Sequence, residues 1–264
     1  MGIGSGLNGA RVLVTAASQG IGFGAAQAFL EEGARVVINS SNAERLDSAR
    51  RSLEPLGEVH GVLADLRVPA DLDRLLEETS LRLGGLDTLV YVTGSPRPGV
   101  FLEQEFADWD AAARLLVVSP AYLARRAAER MLAGGSKGRM VFLTSVAIRE
   151  PIPTIATSSV CRIAVAGLVR TLARELGPKG IRVNGILPGW IRTGRLDQIM
   201  QDSSRRKGTT PEAERAALER EIPLGRVGTT EELARAIVFL GSEMSSYVSG
   251  ALLPVDGGLL RSVG

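Results

Sequence analysis

The fold of this 264-residue chain is decided by the segment Thr15-Ala16-Ala17-Ser18-Gln19-Gly20-Ile21-Gly22. An apolar run precedes it at residues 11–14, and an amphipathic stretch continues from it to Glu32, so the segment joins a strand to a helix. Gly20 and Gly22 let the backbone approach a diphosphate closely, and the N-terminus of a helix offers unpaired N–H groups with a partial positive charge. The segment predicts a phosphate-binding turn, with a simple tight turn as the alternative.

The same alternation of short apolar runs and longer amphipathic stretches continues to the C-terminus. Further strands are predicted over residues 35–39, 59–64, 86–92, 139–144, 182–187 and 251–255. Further helices are predicted over residues 43–53, 71–83, 107–133, 159–176 and 231–241. Uniformly apolar strands that alternate with helices are typical of a parallel sheet covered on both faces. We therefore predict one doubly wound α/β domain over residues 1–264 with seven parallel strands.

One polar region interrupts this alternation between the sixth strand and the last helix. It spans residues 192–226 and has a helical pattern over residues 212–221. In open parallel sheets, ligands bind beyond the carboxyl ends of the strands. The region follows such an end, so we predict that it is a helical lid over a ligand cleft.

Composition and charge exclude several classes of function. The net charge is only +2, and the densest basic run, Arg205-Arg206-Lys207, is three residues long. Nucleic-acid binding usually needs a larger basic patch, so we expect no nucleic-acid partner. One cysteine and one histidine leave no internal disulfide and no His-rich metal site. No apolar stretch approaches the roughly 18 uninterrupted residues of a membrane span, and no signal peptide precedes the first strand. We expect a cytoplasmic protein without a membrane partner.

Several motifs together resemble those of the short-chain dehydrogenase/reductases. The segment from Thr15 to Gly22 is similar to their T-G-x-x-x-G-I-G, with Ala16 in place of the first glycine. Residues 91–94 (YVTG) occupy the position of their N-N-A-G, and residues 255–258 (VDGG) match their C-terminal signature. The resemblance covers essentially the whole chain. It implies a Rossmann-type NAD(P)-binding domain and an oxidoreductase similar to the 3-oxoacyl-[acyl-carrier-protein] reductases.

The resemblance also implies a set of cofactor-binding residues. In this family an Asp at the end of the third strand contacts the adenine, and the backbone of a Pro-Gly segment after the sixth strand meets the nicotinamide. The predicted set is Thr15, Ala17, Ser18, Gln19, Gly20, Ile21, Gly22, Ser40, Ser41, Asn42, Asp65, Leu66, Thr93, Gly94, Arg162, Pro188, Gly189, Ile191 and Thr193.

The choice of cofactor depends on the end of the second strand. An acidic residue there would bind the ribose 2′-hydroxyl and repel a 2′-phosphate, but residues 39–42 read Asn-Ser-Ser-Asn. These small polar groups, with Arg45 one helical turn later, can bind a phosphate by donating hydrogen bonds to its oxygen atoms. The sequence therefore favours NADP(H) over NAD(H). The alternative is that these residues only cap the second helix.

The catalytic residues that the resemblance implies are largely replaced. The family uses an Asn, a Ser, a Tyr and a Lys, of which Ser145 matches the Ser. The Tyr and Lys positions hold Ser158 and Arg162, and the Asn position holds Leu116. No tyrosine lies between residues 123 and 246, and no lysine lies in the predicted helix over residues 159–176. The loss therefore does not depend on the alignment.

Two functions remain open on this basis. A serine hydroxyl is far less acidic than a phenol, and an arginine is permanently charged, so the usual proton transfer is lost. The first hypothesis is an oxidoreductase that acts on a carbonyl or alcohol, with Ser145, Ser158 and Arg162 as its catalytic residues. The second is a catalytically silent nucleotide-binding or regulatory protein that kept the fold.

The expected partners follow from the same resemblance. The substrate is a small molecule, and arginines on loops at the strand ends favour an anionic or acyl-carrier-linked one. These arginines are Arg97, Arg149 and Arg192, for which a solvated surface position is the alternative. The family resemblance further suggests a homotetramer built through residues 107–133, residues 159–176 and the last strand.

Overall fold

A single parallel sheet organises the computed structural model, which describes residues 4–135 and 137–262. Its strands are β1 (Arg11–Val14), β2 (Arg35–Ser40), β3 (Val59–Leu63), β4 (Thr88–Tyr91), β5 (Arg139–Leu143), β6 (Arg182–Pro188) and β7 (Leu252–Val255). The order is β3-β2-β1-β4-β5-β6-β7, and every neighbouring pair is parallel. The order reverses between β1 and β4, which is where such sheets bind ligands. The predicted seven-stranded Rossmann-type fold is confirmed.

Helices cover the sheet on both faces. They are α1 (Gly20–Glu31), α2 (Ala43–Leu53), α3 (Pro69–Leu83), α4 (Phe106–Ala113), α5 (Ser119–Ala133), α6 (Ala156–Leu176), α7 (Gly194–Lys207), α8 (Pro211–Glu221) and α9 (Thr230–Leu240). One core lies between the sheet and helices α1, α2 and α9, and the other lies between the sheet and helices α3, α5 and α6. The uniformly apolar strands follow from this double coverage.

Strand β1 shows why both faces must be apolar. Side chains alternate along a strand, so Val12 and Val14 enter the core beneath α1 while Leu13 enters the opposite core. All three side chains are fully buried. A polar residue at any of these positions would leave an unpaired group in the protein interior.

The predicted helix over residues 107–133 is wrong in one respect. A π-helical turn, Arg114–Val118, separates α4 from α5. Pro120 has no N–H to bond the carbonyl four residues earlier, so the regular α-helical ladder is broken there. Hydroxyl groups bond the carbonyls of the turn instead. Ser119 Oγ donates to the Arg114 carbonyl at 2.7 Å, and Tyr91 OH donates to the Leu115 carbonyl at 2.9 Å.

The polar insertion contains two helices, whereas the sequence pattern predicted one. Helix α8 matches the predicted residues 212–221, but α7 was missed because its sequence is almost entirely polar. Thr193 caps α7 by accepting a hydrogen bond from Leu196 N at 3.4 Å. Leu196 and Met200 then pack with Ile222 and Val227 in a small separate core. That core attaches the insertion to the rest of the domain.

Helix α6 and the turn that follows it form an unusually apolar element. Within the described residues, one segment is long and apolar enough to cross a membrane by length and composition alone, namely Ala156–Lys179. Its inward side chains, including Val165 and Val169, belong to the core beneath the sheet. Val160 and Ile163 are more than half exposed on its outer face. The helix therefore combines core side chains with exposed apolar side chains in its N-terminal half.

The turn between β1 and α1 carries backbone strain. Ala16 has φ +46°, in the left-handed region where a Cβ costs about 1–2 kcal/mol, and Gly20 has φ +57°. A glycine is required at position 22 for a different, steric reason. A Cβ on Gly22 would lie 2.5 Å from the Ala16 carbonyl oxygen, so no other residue fits there without moving the turn.

We predict that Ala16→Gly stabilises the protein by about 0.5–1 kcal/mol. Removing the Cβ relieves the left-handed strain, and the greater freedom of glycine in the unfolded chain offsets part of the gain. Ala17→Gly is the matched control and should cost at least about 1 kcal/mol, because Ala17 is fully buried and has no positive φ. Urea unfolding followed by circular dichroism measures both changes. A loss of stability in Ala16→Gly would contradict the strain.

Candidate functional site

A cleft of about 680 Å³ opens along the carboxyl edge of the sheet. Its walls come from the residues that follow each of the first six strands, together with the start of the insertion. Pockets for cofactors and substrates usually have volumes of about 300–1,000 Å³. The size and the position at the sheet reversal therefore both suit an extended ligand such as a dinucleotide.

A buried amide, Asn39, fixes the floor of the cleft. Its Oδ1 accepts a hydrogen bond from Ala16 N at 3.0 Å, and its Nδ2 donates to the Ala64 carbonyl at 2.8 Å. The Asn39 carbonyl also accepts from Ala17 N at 2.8 Å. One side chain thus joins the ends of β1, β2 and β3. The sequence pattern included Asn39 only as part of a polar run and did not single it out.

The turn between β1 and α1 is the segment for which the sequence predicts phosphate binding. Gln19 precedes α1 in an extended conformation, and no side chain caps the first turn of the helix. The first N–H groups of α1 are therefore left to a ligand, and they carry the positive end of the helix dipole. Gly20, Ile21 and Gly22 all belong to the cleft wall. This donor set fits a diphosphate.

Small polar groups occupy the end of β2, where a ribose 2′ substituent is expected. Ser18 Oγ donates to Ser40 Oγ at 3.0 Å, and Ser40 Oγ also accepts from Asn42 N at 3.2 Å. Asn42 Oδ1 accepts from Arg45 N at 2.8 Å and so caps α2. The capping role is therefore real, yet Ser40, Ser41 and Asn42 also line the cleft together with Arg45.

The charges along the cleft are mostly basic. Asp65 is paired with Arg67, whose guanidinium holds the pKa of that carboxyl below its usual value. Arg97 is paired with Asp108 at 2.9 Å. Among the described residues, the ionisable side chains of the wall are one carboxylate and five guanidinium groups: Asp65, Arg45, Arg67, Arg97, Arg162 and Arg195. The cleft therefore favours an anionic ligand.

Arg162 lies at the centre of the predicted catalytic group and is only 7% exposed. Its Nε donates to Ser158 Oγ at 3.1 Å, one helical turn earlier on α6. Its Nη1 donates to the carbonyls of Leu143 and Thr144, at 3.1 and 3.3 Å. Burial lowers the pKa of Arg162 to about 10, so the guanidinium stays charged at neutral pH. The structure thus brings Ser158 and Arg162 together beside the end of β5.

Ser145 stands on the same part of the wall. Its Oγ accepts a hydrogen bond from Ala147 N at 3.1 Å and caps the short helical turn over residues 146–148. Ser158 Oγ likewise accepts from Arg162. A hydroxyl group that accepts a hydrogen bond can still donate its own hydrogen. Both serines can therefore donate to an oxygen atom of a ligand in the cleft.

Within the described residues, no phenol lines the cleft. Tyr91 is 1% exposed, packs against Phe142 with ring centroids 5.9 Å apart, and has its pKa raised by burial. Tyr122 donates to Asp73 on α3 at 2.8 Å, and Tyr247 is fully exposed. The tyrosines outside the expected catalytic position therefore offer no substitute proton donor at the site.

Three predicted cofactor residues do not line the cleft. Thr15 is buried and bridges two strands, since its Oγ1 donates to the Val92 carbonyl at 2.5 Å and accepts from Val92 N. Ala17 is buried below the turn, and Ile191 packs into the core. Their structural roles follow from burial, and any backbone contact of theirs with a cofactor stays a prediction.

The remaining predicted residues divide between the wall and the surface. The other cofactor residues all line the cleft: Ser18, Gln19, Gly20, Ile21, Gly22, Ser40, Ser41, Asn42, Asp65, Leu66, Thr93, Gly94, Arg162, Pro188, Gly189 and Thr193. Of the three loop arginines, Arg97 lines it, whereas Arg149 and Arg192 do not. Arg67 and Arg195 line the cleft and were missed. Each stands two residues after a predicted contact, which is the signal that could have found them.

Comparison with protein families supports the resemblance to the short-chain dehydrogenase/reductases. A family model described as enoyl-(acyl carrier protein) reductase matches residues 15–260. Glucose 1-dehydrogenase of Gluconobacter oxydans is 35% identical over 253 residues, which is 95% of this chain and 92% of that protein. The 3-oxoacyl-[acyl-carrier-protein] reductase of Thermotoga maritima is 30% identical over 96% of this chain and 99% of that protein.

Solved structures agree with the sequence comparison. L-sorbose reductase from Gluconobacter frateurii, complexed with NADPH and L-sorbose, superposes with a TM-score of 0.94 at 30% identity, over 99% of this chain and 100% of that chain. An NADPH-bound short chain oxidoreductase from Pseudomonas aeruginosa, described as containing an atypical catalytic center, has a TM-score of 0.85 at 30% identity, over 97% of this chain and 99% of that chain. The chain therefore belongs to the short-chain dehydrogenase/reductase family of oxidoreductases.

Proposed function

We propose that the protein is an NADP(H)-dependent oxidoreductase that reduces a carbonyl group or oxidises the corresponding alcohol. The charge of the cleft is the observation that carries the proposal. Five arginines and one aspartate line it in the described part of the chain, and Ser40, Ser41 and Asn42 at the end of β2 carry no carboxylate. Such a cleft suits a cofactor with a diphosphate and a 2′-phosphate. Related structures with bound NADPH support the same choice.

Different residues of the wall would bind different parts of the cofactor. The first amides of α1 at Gly20–Gly22 would hold the diphosphate, and Ser40 and Arg45 would hold the 2′-phosphate. Pro188, Gly189 and Thr193 would lie beside the nicotinamide, and Arg162 can donate to the ribose hydroxyls. When bound, the cofactor supplies or accepts the hydride.

Side chains of the wall would orient the substrate and stabilise the charge that develops on it. Ser145 and Ser158 can donate hydrogen bonds to the substrate oxygen, and the Arg162 guanidinium stabilises negative charge that develops there. In the described wall, the pKa of Asp65 lies below its usual value and that of Arg162 is about 10, so neither group gives up a proton near neutral pH. We infer that water is the proton donor during reduction.

The preference for NADP(H) is tested by Arg45→Ala. Arg45 lines the cleft, and none of its side-chain atoms has a hydrogen-bond or ion-pair partner within residues 4–135 and 137–262. We expect the Kd for NADPH to rise about tenfold, since a charge-assisted hydrogen bond is worth about 1.5–3 kcal/mol, while the Kd for NADH stays unchanged.

Isothermal titration calorimetry with both nucleotides measures this effect. Arg205→Ala is the control, because Arg205 is an exposed arginine of α7 outside the cleft. Equal affinity of the parent protein for NADH and NADPH would contradict the NADP(H) preference. Failure of either nucleotide to bind the folded protein would remove the proposed function altogether.

The enzymatic activity is tested by NADPH oxidation with a panel of ketoses, β-keto esters and quinones. We expect slow turnover whose kcat is constant between about pH 6.5 and pH 9. The pKa of Asp65 lies below its usual value and that of Arg162 is about 10, so neither described group of the wall changes charge in this window. A kcat that falls or rises tenfold across the window would reveal a titrating catalytic group.

The double variant Ser158→Tyr/Arg162→Lys provides the matched control for this pH profile. It restores a phenol beside an ammonium group, which can act as a general acid and contributes typically 10²–10⁴ in rate. We expect kcat to increase at least about tenfold at neutral pH. The rate of reduction should then fall as the pH rises through the phenol pKa, because the phenolate cannot donate a proton.

The absence of a phenol and an ammonium group from the described wall favours a second candidate function. In this case the protein binds NADP(H) tightly and senses its level without turnover. The assay above separates the two candidates. Tight NADPH binding with no oxidation of NADPH above background, for every compound in the panel, would favour the sensor.

We propose that the protein assembles as a homotetramer through the outer faces of the long helices. The apolar side chains of Val118, Val160 and Ile163 are 57%, 56% and 53% exposed in the isolated chain. Exposed apolar side chains that form a patch mark protein–protein interfaces, and we propose that these three residues belong to such a patch. A second copy of the chain would cover it through a two-fold interface.

We expect Ile163→Asp to lower the assembly to a smaller species by placing a charge in that interface. Leu81→Asp is the control, since Leu81 is 72% exposed on α3, away from these faces. Sedimentation velocity measures the mass of each species. A monomeric parent protein, or an unchanged mass in Ile163→Asp, would contradict the proposed interface.

A further inference from the structure

The guanidinium group of Arg162 is a buried cation without a negative partner. Within the described residues its hydrogen-bond acceptors are neutral: one serine hydroxyl and two backbone carbonyls. The charge interactions that shift its pKa involve only Tyr91 and Cys161, both of which are protonated at neutral pH. Arg139 is equally buried in the described part of the chain, but its guanidinium group is paired with the carboxylate of Glu243.

The unpaired charge belongs to a residue of the cleft wall. Nε and Nη1 supply the three hydrogen bonds to the protein, so the two N–H groups of Nη2 have no partner in the parts of the chain that the structure describes. Nη2 is not fully buried, and Arg162 belongs to the cleft wall. These two N–H groups are therefore the donors that a ligand meets.

An uncompensated buried charge is energetically costly. Moving an ion out of water carries a large desolvation penalty, and neutral hydrogen-bond acceptors offset only part of it. An anionic ligand would offset the rest, because a charge-assisted hydrogen bond is about twice as strong as a neutral one. Ribose hydroxyls accept hydrogen bonds but carry no charge. The structure therefore leaves a place for an anion that the sugar of a cofactor does not fill.

The surroundings limit the size and class of this anion. Ser145 and Ser158 stand on the same part of the wall and offer hydroxyl donors, while Leu143 and Ile155 supply apolar surface. Nη1 already bonds two carbonyls, so a ligand oxygen can approach only the outer N–H groups of Nη2. This donor set fits one carboxylate oxygen, with the two serine hydroxyls left for a neighbouring carbonyl oxygen.

We infer that the substrate carries a carboxylate next to its reacting carbonyl group and that Arg162 binds this carboxylate. The inference rests on the proposed oxidoreductase function and names the substrate class as small 2-oxo or 2-hydroxy carboxylates. Arg97 and Arg67 are poor alternatives, since each is already paired with an aspartate at the rim. Arg162 then determines specificity through its charge rather than through proton transfer.

Binding of pyruvate and of its neutral amide, pyruvamide, tests the inference without any turnover. The two compounds match in size and differ in charge. Calorimetry at constant ionic strength is performed on the folded protein alone and on the protein saturated with NADP⁺. We expect pyruvate to bind at least about tenfold more tightly than pyruvamide. Equal affinities would overturn the inference.

Variants of Arg162 assign the preference to this residue. In Arg162→Met the pyruvate-to-pyruvamide ratio should fall to about one, and in Arg162→Lys a preference for pyruvate should persist. Arg205→Met is the matched control, because Arg205 is an exposed arginine of α7 outside the cleft, and it should keep the parent ratio. Thermal unfolding checks that each variant is folded, and Arg162→Gln replaces the Met variant if that one is not.

The outcomes also separate this inference from the proposed function. If Arg162→Met weakens NADP⁺ binding but leaves the pyruvate-to-pyruvamide ratio of the parent protein, Arg162 contacts only the ribose and the inference is wrong. If no nucleotide binds, the proposed function is wrong, and the ratio measured without nucleotide still decides whether the anion site exists. A ratio of tenfold that disappears in Arg162→Met supports the site in either case.

Discussion

The geometry of the whole site depends on the hydrogen bonds of one buried amide, Asn39. Its side chain accepts from the backbone of the β1–α1 turn and donates to the carbonyl that follows β3, so three strand ends keep a fixed relation. A buried amide is costly unless its donors and acceptors are satisfied, and the observed arrangement of the three chain segments satisfies both groups of the Asn39 side chain. The turn held in this way contains Ala16 in its left-handed conformation and leads to the uncapped first amides of α1.

The chemistry of the site depends on a second constraint, which is the burial of Arg162 beside Ser158. A phenol and an ammonium group at these positions would form a titrating pair, whereas a hydroxyl and a guanidinium form a pair with fixed charge. The guanidinium is held by neutral carbonyls at the end of β5, so its charge remains available to whatever enters the cleft. Ser158 and Arg162 therefore offer a hydroxyl donor and a fixed positive charge at this point of the cleft.

The sequence allowed the prediction of most elements but not of the exceptions to local pattern. The π-helical turn at Arg114–Val118 arises because Pro120 lacks an N–H and hydroxyls from other segments take up the carbonyls, including that of Tyr91 on β4. Helix α7 forms because a few apolar side chains meet Ile222 and Val227, which are distant in sequence. In both cases the deciding partner lies outside the sequence window in which periodicity is read.

The sequence by itself determined the parallel sheet, the glycine-containing turn between β1 and α1, and the presence of a serine and an arginine at positions 158 and 162. Each of these depends on local periodicity, on residue type or on the spacing of motifs. Only the tertiary structure decided which side chains of those motifs face the cleft, because burial and hydrogen bonding turn Thr15, Ala17 and Ile191 into the protein interior. It also decided that the charge of Arg162 is buried without a carboxylate among the described residues. That fact depends on contacts between α6 and β5, which no single stretch of sequence contains.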